Sequence, residues 1–364
     1  MQRAMLRVLR YLAIVSLLSA FAGAAPAFAS SDAVGAVYTQ TNAAAGNAVL
    51  VFDRAADGSL SAAGQFSTGG SGTGASLGSQ GAVSISHNGR WLFVVDAGSN
   101  DIATFAVTGT GLSLVGRVWS GGTQPISVTV SGDTVYALNA GGVANISGFR
   151  LGQGGRLSPI AGSTRALGGS APAQVQFSGS GDVLIVTEKG SSTIETFVLG
   201  TDGVSTARWS RLSNGATPFG FAVGHRDEVF VTEAAASTTS SYTIAKDGRL
   251  DLVSPSVATT QAAACWAAVT KDGRFVYTAN AGSGSISAYA VGHGGSITLS
   301  KAQAAFMAGA HPLDLATSEN SRFLYVLESN ARRIRAFRIG SNGGLSEITG
   351  ASSPLMGLGG LAAR

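Results

Sequence analysis

The sequence predicts an all-β protein, a seven-bladed β-propeller of four-stranded antiparallel blades. The first supporting observation is a strand-like segment that ends in an acid or an amide and recurs every 43 to 49 residues. The six clearest copies end at Asp96, Asn139, Glu188, Glu233, Asn280 and Glu328. An earlier copy occupies 37–41, and a tight turn followed by a hydrophobe recurs in step, as in Asp57-Gly58 before Leu60. A period of about 48 residues is typical of a propeller blade.

Each repeat resolves into four strands. In the sixth repeat they are AAACWAAVT, FVYTAN, SISAYAVG and the strand within GGSITLSKAQA. Asp-Gly and Gly-Gly pairs separate strands in the repeats, as tight hairpins require, because their backbones adopt positive φ. The first strands are rich in Ala, Ser, Thr and Val, which suits an innermost position where strands converge on an axis. No segment after residue 30 has a helical period, so the prediction is all-β.

The two ends of the domain are predicted to close the ring. The first repeat lacks an inner strand, because GAVYTQT begins almost directly after the N-terminal segment. The C-terminus offers a spare strand, MGLGGLAAR. We therefore expect residues near 357–363 to supply the inner strand of the first blade.

Residues 1–29 are predicted to be a secretory signal peptide. MQRAMLRVLR carries three arginines and no acid, and the apolar run YLAIVSLLSAFAG is followed by AAPAFAS, with small residues in an A-x-A pattern. We expect cleavage near Ala29, a single domain over 30–364, and a secreted or periplasmic protein without stable membrane insertion. An uncleaved anchor is the alternative, but the apolar run is short for a bilayer span.

Composition excludes some classes of function. The formal net charge is +4, but three of the 24 Lys and Arg residues lie in 1–29, which contains no acid. The remainder is close to neutral, and this argues against nucleic acid as a partner. Cys265 is the single cysteine, so no intrachain disulfide can form and stability must come from a packed core.

The repeats resemble a known family. The phrases GRFVYTANAGSGSISAYAV and SRFLYVLESNARRIRAFRI look like those of lactonase-type seven-bladed β-propellers, which include 6-phosphogluconolactonase, 3-carboxymuconate cyclases and YVTN-repeat proteins. The resemblance covers 34–360, and within the family the sequence looks like an exported bacterial branch. It implies the propeller fold and lactone chemistry, although YVTN-like relatives include proteins with no catalytic role.

One motif departs from the resemblance. Phosphogluconolactonases of this fold carry an Arg-His pair that enters the last blades in a P-R-H setting, whereas this chain has GAHPLDLATS, with His311 before the proline and no adjacent arginine. This departure argues against a phosphorylated sugar lactone as the substrate.

Three residues are candidates for a general base in lactone chemistry: Glu188, Glu233 and His311. Glu188 and Glu233 end second strands, on the face where the ring's central channel is expected to have its mouth. His311 lies in an inter-blade link on the same face. The alternative for the two glutamates is a structural role, because residues at this place in every blade can bond backbone amides and start turns. For His311 the alternatives are packing or an exposed loop.

Six further residues are predicted to contact a substrate. Lys189, Arg332 and Arg333 are cations suited to a carboxylate, although solvated loops also explain them. Gln174, Phe219 and Gln261 are expected to line the mouth. Cys265 is interpreted as a small buried hydrophobe rather than a nucleophile. We expect no metal, because the four histidines are dispersed without ligand spacing, and no cofactor.

Two functions remain open at this stage. The first is an exported lactonase-like enzyme that hydrolyses or isomerises a small carboxylated lactone. The second is a non-catalytic exported binding scaffold of the YVTN-repeat type, with a protein or glycan partner. In both cases we expect a monomer. Convergence of Glu188, Glu233 and His311 on one cavity would favour the enzyme.

Overall fold

The computed structural model describes residues 33–109, 111–353 and 359–364. The predicted signal peptide lies outside these residues. The described chain forms seven antiparallel sheets, and the prediction of a seven-bladed propeller of four-stranded blades is confirmed, with the outer strand of blade 3 divided into two short strands.

The strands of the seven blades follow one another along the chain. Blade 1 contains β1 (Gly35–Gln40), β2 (Ala48–Arg54), β3 (Leu60–Ser67) and, from the C-terminus, β29 (Leu361–Ala363). Blade 2 contains β4 (Val83–Ile85), β5 (Trp91–Asp96), β6 (Asp101–Thr108) and β7 (Gly111–Trp119). Blade 3 contains β8 (Thr123–Ser131), β9 (Thr134–Gly141), β10 (Asn145–Leu151), β11 (Leu157–Pro159) and β12 (Arg165–Ala166). Blade 4 contains β13 (Pro172–Phe177), β14 (Val183–Glu188), β15 (Thr193–Leu199) and β16 (Ser205–Leu212).

The last three blades repeat this order. Blade 5 contains β17 (Pro218–Val223), β18 (Glu228–Glu233), β19 (Thr238–Ile244) and β20 (Leu250–Ala258). Blade 6 contains β21 (Ala264–Val269), β22 (Phe275–Asn280), β23 (Ser285–Val291) and β24 (Ile297–Phe306), with a short 3-10 helix, His293–Gly295, before the last strand. Blade 7 contains β25 (Pro312–Thr317), β26 (Phe323–Glu328), β27 (Arg333–Ile339) and β28 (Leu345–Ser352).

The ring is closed by the C-terminal strand, as the sequence predicts. In β29, Leu361 pairs with Thr39 and Ala362 with Tyr38, antiparallel to β1. The Thr39 hydroxyl donates a hydrogen bond to the Gly360 carbonyl over 2.7 Å. Each inner strand contacts the inner strand of the next blade, and β29 contacts both β25 and β4. The first and last blades are therefore joined through the final residues of the chain.

Asp314 in β25 forms the junction between blades 7 and 1. Its Oδ2 accepts the Leu361 N–H over 3.1 Å and its Oδ1 accepts the Leu315 N–H over 2.8 Å. The side chain is almost fully buried, and this burial raises the pKa of Asp314 to about 8 despite the opposing effect of backbone N–H donors. Asp314 therefore links the closing strand to the ring.

Neighbouring blades are connected through the recurring turn glycines. The Tyr136 hydroxyl of blade 3 donates to the Gly203 carbonyl of blade 4, and the Tyr325 hydroxyl of blade 7 donates to the Gly58 carbonyl of blade 1. At Gly58, which has a φ of +93°, a Cβ would lie 2.3 Å from the Phe323 ring. Glycine recurs here because the turn needs positive φ and because the preceding blade approaches too closely for a side chain.

The central channel is crossed by a segment of the link between blades 1 and 2, residues 77–81, here called the channel segment. The Gln80 amide forms two hydrogen bonds with the backbone of Ala267 in blade 6, from Nε2 to the carbonyl over 2.7 Å and from the Ala267 N–H to Oε1 over 3.2 Å. The Gln80 N–H donates to the Ala173 carbonyl of blade 4 over 3.1 Å. One residue of the link between blades 1 and 2 thus bonds the inner strands of both blade 4 and blade 6.

The rest of the channel segment contacts other inner strands. The Ser79 hydroxyl donates to the Ile126 carbonyl of blade 3 over 2.8 Å, and the Gly81 carbonyl accepts the Val128 N–H of the same strand over 2.8 Å. Because these inner strands surround the axis, the segment fills the channel on the face that carries the inter-blade links. Any ligand at this mouth has the channel segment as its floor.

Among the described residues, no helix combines the length and the apolar character needed to cross a bilayer.

Removal of the closing strand is expected to destabilise the ring. A variant that ends at Ser353 loses β29, and with it the burial of Leu361 and the hydrogen bond between Leu361 and Asp314. We therefore expect its free energy of unfolding to fall by about 3–5 kcal/mol. Urea denaturation followed by tryptophan fluorescence measures the change. The variant Arg364→Ala keeps β29 and is the control, and an unchanged midpoint in the shortened chain would contradict closure by β29.

The buried Asp314 predicts a pH dependence of stability. Its folded-state pKa is raised to about 8, so between about pH 4 and pH 8 the folded chain holds a proton that the unfolded chain releases. Stability should therefore fall as pH rises through this window, by at least about 1 kcal/mol more in the wild type than in Asp314→Asn. Chemical denaturation at pH 5 and pH 8.5 checks the difference, and a carboxyl-carbon NMR titration of Asp314 in the wild type tests the same point without a substitution. Equal slopes, or a carboxyl that titrates near pH 4, would refute it.

Candidate functional site

The acids and amides that end the second strands lie on the face of the inter-blade links, and all six are buried. Several hold these links in place. The Gly169 N–H donates to Glu188 Oε1 over 2.9 Å, and the Gly215 N–H donates to Glu233 Oε1 over 2.6 Å. The recurring residue thus fixes the chain as it passes from one blade to the next.

Glu233 and Glu328 have carboxylates with many partners. Glu233 accepts the Gly215 N–H and four hydroxyl groups, which belong to Ser213, Thr238, Ser240 and Ser256. Glu328 Oε2 accepts from Arg333 Nε over 2.7 Å and from Arg335 Nε over 2.9 Å. Arg333, a predicted substrate-binding residue, is therefore in an ion pair within its own blade.

Glu188 differs from these two acids. Its Oε1 accepts the Gly169 N–H, but its buried Oε2 has no hydrogen-bond partner among the described residues. Burial, followed by the nearby Glu195 carboxylate, raises the pKa of Glu188 to about 7. A carboxyl with this pKa can exchange a proton near neutral pH.

Three other predicted contact residues have identifiable places. Gln174 is buried in β13 and bonds the backbone of Phe221 in blade 5, from Nε2 to the carbonyl over 3.0 Å and from the Phe221 N–H to Oε1 over 2.7 Å. Gln261 Oε1 accepts from the Ser285 hydroxyl over 3.0 Å. Arg332 is exposed at a turn with a φ of +48°.

His311 is exposed and immediately precedes the inner strand of blade 7. Its carbonyl accepts the Ser329 N–H over 3.2 Å, so its backbone is fixed to the residue after Glu328. Cavities of 580, 430 and 80 Å³ lie elsewhere on the described chain, and Glu188, Glu233 and His311 are absent from the linings of all three. The three candidate bases therefore do not meet in any of these three cavities.

The mouth of the channel brings Lys189 and Phe219 together. The Lys189 ammonium lies 4.6 Å from the centroid of the Phe219 ring and donates to the Gly78 carbonyl of the channel segment. The Phe219 and Trp266 rings meet edge to face, with centroids 5.2 Å apart. Burial lowers the pKa of Lys189. This half-buried cation over the Phe219 ring, which itself packs against Trp266, is the candidate functional site.

Two parts of this site are absent from the sequence-based prediction. Trp266 donates from Nε1 to the Ser79 carbonyl over 2.9 Å, and the channel segment supplies the floor. The run of glycines and serines before residue 82 marks the link as unusually long, but its path across the axis depends on contacts with distant blades. Next to Trp266, Cys265 is buried, and burial raises the pKa of its thiol to about 12, as expected for a structural cysteine.

In the part of the chain that the structure describes, no group of three or more His, Cys, Asp or Glu residues is arranged to hold a metal ion.

Comparisons with known proteins agree with this architecture. A search of curated proteins gave no significant match. Among solved structures, the periplasmic gluconolactonase PpgL from Pseudomonas aeruginosa matches with a TM-score of 0.73 and 16% identity, over 91% of this chain and 98% of that one. A Bacteroides fragilis protein provisionally described as a 6-phosphogluconolactonase matches with a TM-score of 0.71 and 17% identity, over 92% and 99% of the two chains.

At such identities these structures establish likeness of fold alone. The sequence itself carries a more specific signal, because the model of the seven-bladed lactonase β-propellers matches residues 43–142 and 225–355, more than half of the chain. The chain therefore belongs to the lactonase family of seven-bladed β-propellers.

Proposed function

We propose that the protein is an exported lactonase-like enzyme that hydrolyses or isomerises a small carboxylated lactone at the mouth of the central channel. The observation that carries this proposal is the half-buried Lys189 ammonium beside Phe219, above a closed channel floor. Membership of the lactonase family supports the reaction class.

Lys189 is suited to an anionic group. Partial burial weakens the hydration of its ammonium, so a carboxylate placed there gains a stronger charge-assisted hydrogen bond than at an exposed lysine. The same cation can stabilise the oxyanion that forms when water attacks a lactone carbonyl. The partly exposed Phe219 ring provides apolar surface for the ring of the substrate, and the buried Trp266 ring packs against Phe219 from behind.

The three candidate bases differ in their suitability. Glu188 has a pKa raised to about 7, which favours proton transfer at neutral pH, although its carboxyl is buried. His311 is exposed at the entry to blade 7 and is accessible from the solvent. Glu233 accepts five hydrogen bonds, so its oxygens are already occupied by groups of the protein, and it is the least available of the three candidate bases.

Export to the periplasm or the medium is part of the proposal. It rests on the signal-peptide pattern of residues 1–29, and the periplasmic gluconolactonase of the same fold offers a precedent.

The alternative is a non-catalytic exported scaffold for a protein or glycan partner. It is favoured by the structural hydrogen bonds of Glu233 and Glu328 and by the absence of the three candidate bases from the linings of the described cavities. The enzyme would turn over a lactone and the scaffold would not, so an assay of lactone turnover separates the two functions.

Replacement of Lys189 tests substrate capture. We expect Lys189→Met to lower kcat/KM for carboxylated lactones at least about tenfold, mainly through KM, because a charge-assisted hydrogen bond is lost. Hydrolysis of a panel of carboxylated and uncharged lactones in a pH-stat measures the effect. Lys271→Met, an exposed lysine in a first-to-second-strand turn on the opposite face, is the matched control. Equal turnover in both variants, or no turnover of any lactone by the wild type, would refute the enzyme proposal.

Replacement of the candidate bases tests proton transfer. If Glu188 is the base, kcat/KM rises with pH through about 7, since the ionised carboxylate is the active form, and Glu188→Gln removes this rise. The profile of the Glu188→Gln/Glu233→Gln double variant is compared with that of His311→Gln. Unchanged turnover in the double variant excludes both glutamates, and unchanged turnover in His311→Gln excludes the histidine.

A further inference from the structure

The third strand of blade 4 carries a second acid, Glu195, at a position where blades 5 and 7 have a different residue. In the register between β14 and β15, Glu195 pairs with Val186. The equivalent residue is Ser240, opposite Val231, in blade 5 and Arg335, opposite Val326, in blade 7. In those two blades the residue bonds the glutamate that ends the second strand. A second carboxylate cannot take over this role.

The consequence is an unsatisfied oxygen on Glu188. A Cβ on Gly169 would lie 2.5 Å from Glu188 Oε2 and 2.2 Å from the Ser191 hydroxyl, so these atoms meet at the inter-blade link. Glu188 is fully buried, and its Oε2 has no partner among the described residues. A buried carboxyl oxygen without a donor is unfavourable in its ionised form, and burial accordingly raises the pKa of Glu188 to about 7.

A cavity of 430 Å³ opens beside this point. Gly169 and Ser191 form part of its wall, and Thr193, Ser210, Glu195 and Arg208 complete most of the remainder. Its volume is within the range of small-molecule sites. The neighbouring blade 3 is irregular on this side. Its outer strand is divided into β11 and β12, which pair with opposite ends of β10.

The charges of this pocket nearly cancel. The buried Glu195 carboxylate forms an ion pair with Arg208, whose side chain is 38% exposed. With a pKa of about 7, Glu188 is neutral in about half of the molecules at neutral pH. Arg208 disfavours a cation in the pocket and Glu195 disfavours an anion. The groups that remain are hydroxyls, one carboxylate that accepts hydrogen bonds and one guanidinium that donates them.

We propose that this pocket binds a neutral polyhydroxylated molecule, such as a single pyranose ring. One ligand hydroxyl donates to Glu195 and its neighbour accepts from Arg208, while Ser191 and Ser210 bond further hydroxyls. Glu188 lies behind the Gly169 wall of the pocket and is not a ligand contact. The pocket lies between the two ranges that the lactonase model matches and is distinct from the channel mouth, so this proposal does not depend on lactone turnover.

The experiment uses four neutral polyols: the methyl glycosides of glucose, galactose and mannose, and myo-inositol. Sodium acetate and methylammonium chloride are the charged comparators. Binding to the full protein is measured by isothermal titration calorimetry and by saturation-transfer NMR. We expect at least one polyol to bind and neither ion to bind.

Two variants locate the site. Ser210→Tyr fills the cavity from an exposed position of β16 and should weaken binding at least about tenfold without loss of folding. Glu195→Gln should weaken it through loss of the acceptor. Ala207→Tyr, at an exposed position of the same strand outside the cavity lining, is the matched control and should bind as the wild type does. Absence of binding by all four polyols, binding of an ion instead, or polyol binding that Ser210→Tyr leaves intact would each overturn the proposal.

Discussion

The ring depends on hydrogen bonds that satisfy backbone groups at the inner edges of its innermost strands. Such an edge carries unpaired backbone groups, and a narrow channel offers little water to bind them. Gln174 of blade 4 bonds both the N–H and the carbonyl of Phe221, and Gln80 does the same for Ala267. Asp314 accepts the N–H of Leu361. These side chains replace the strand that a flat sheet would add at its edge. They join blade 4 to blade 5, the channel segment to blade 6, and blade 7 to the closing strand.

The repeat could be predicted from sequence because two of its structural requirements are local. The turn glycines need positive φ and lie against the preceding blade, so Gly58 and Gly203 recur at a fixed place. The acid or amide at the end of the second strand holds the inter-blade link, as Glu188 holds Gly169. Both requirements are renewed in each blade, which gives the pattern its regular period. The pairing of β29 with β1 followed from the strand that the first repeat lacks.

The path of the channel segment could not be predicted in this way. Its contacts join Gln80 to Ala267, 187 residues away, and no local pattern encodes such a pair. Lys189 and Phe219 were both predicted to contact a substrate, and the structure places them side by side, but their neighbour Trp266 was not included. The place of Glu195 opposite Val186 becomes informative only when the register of blade 4 is compared with that of blades 5 and 7.

Closure by the last residues of the chain also bears on the kinetics of folding. The hydrogen bond between Thr39 and Gly360 spans 321 residues, and the Gln80 contacts require blades 4 and 6 to be in position around the axis. Contacts of such long sequence separation form slowly, because a large loop must be ordered before they contribute. A polypeptide that emerges N-terminus first from a ribosome or a membrane pore therefore cannot complete blade 1 until its final six residues have been released.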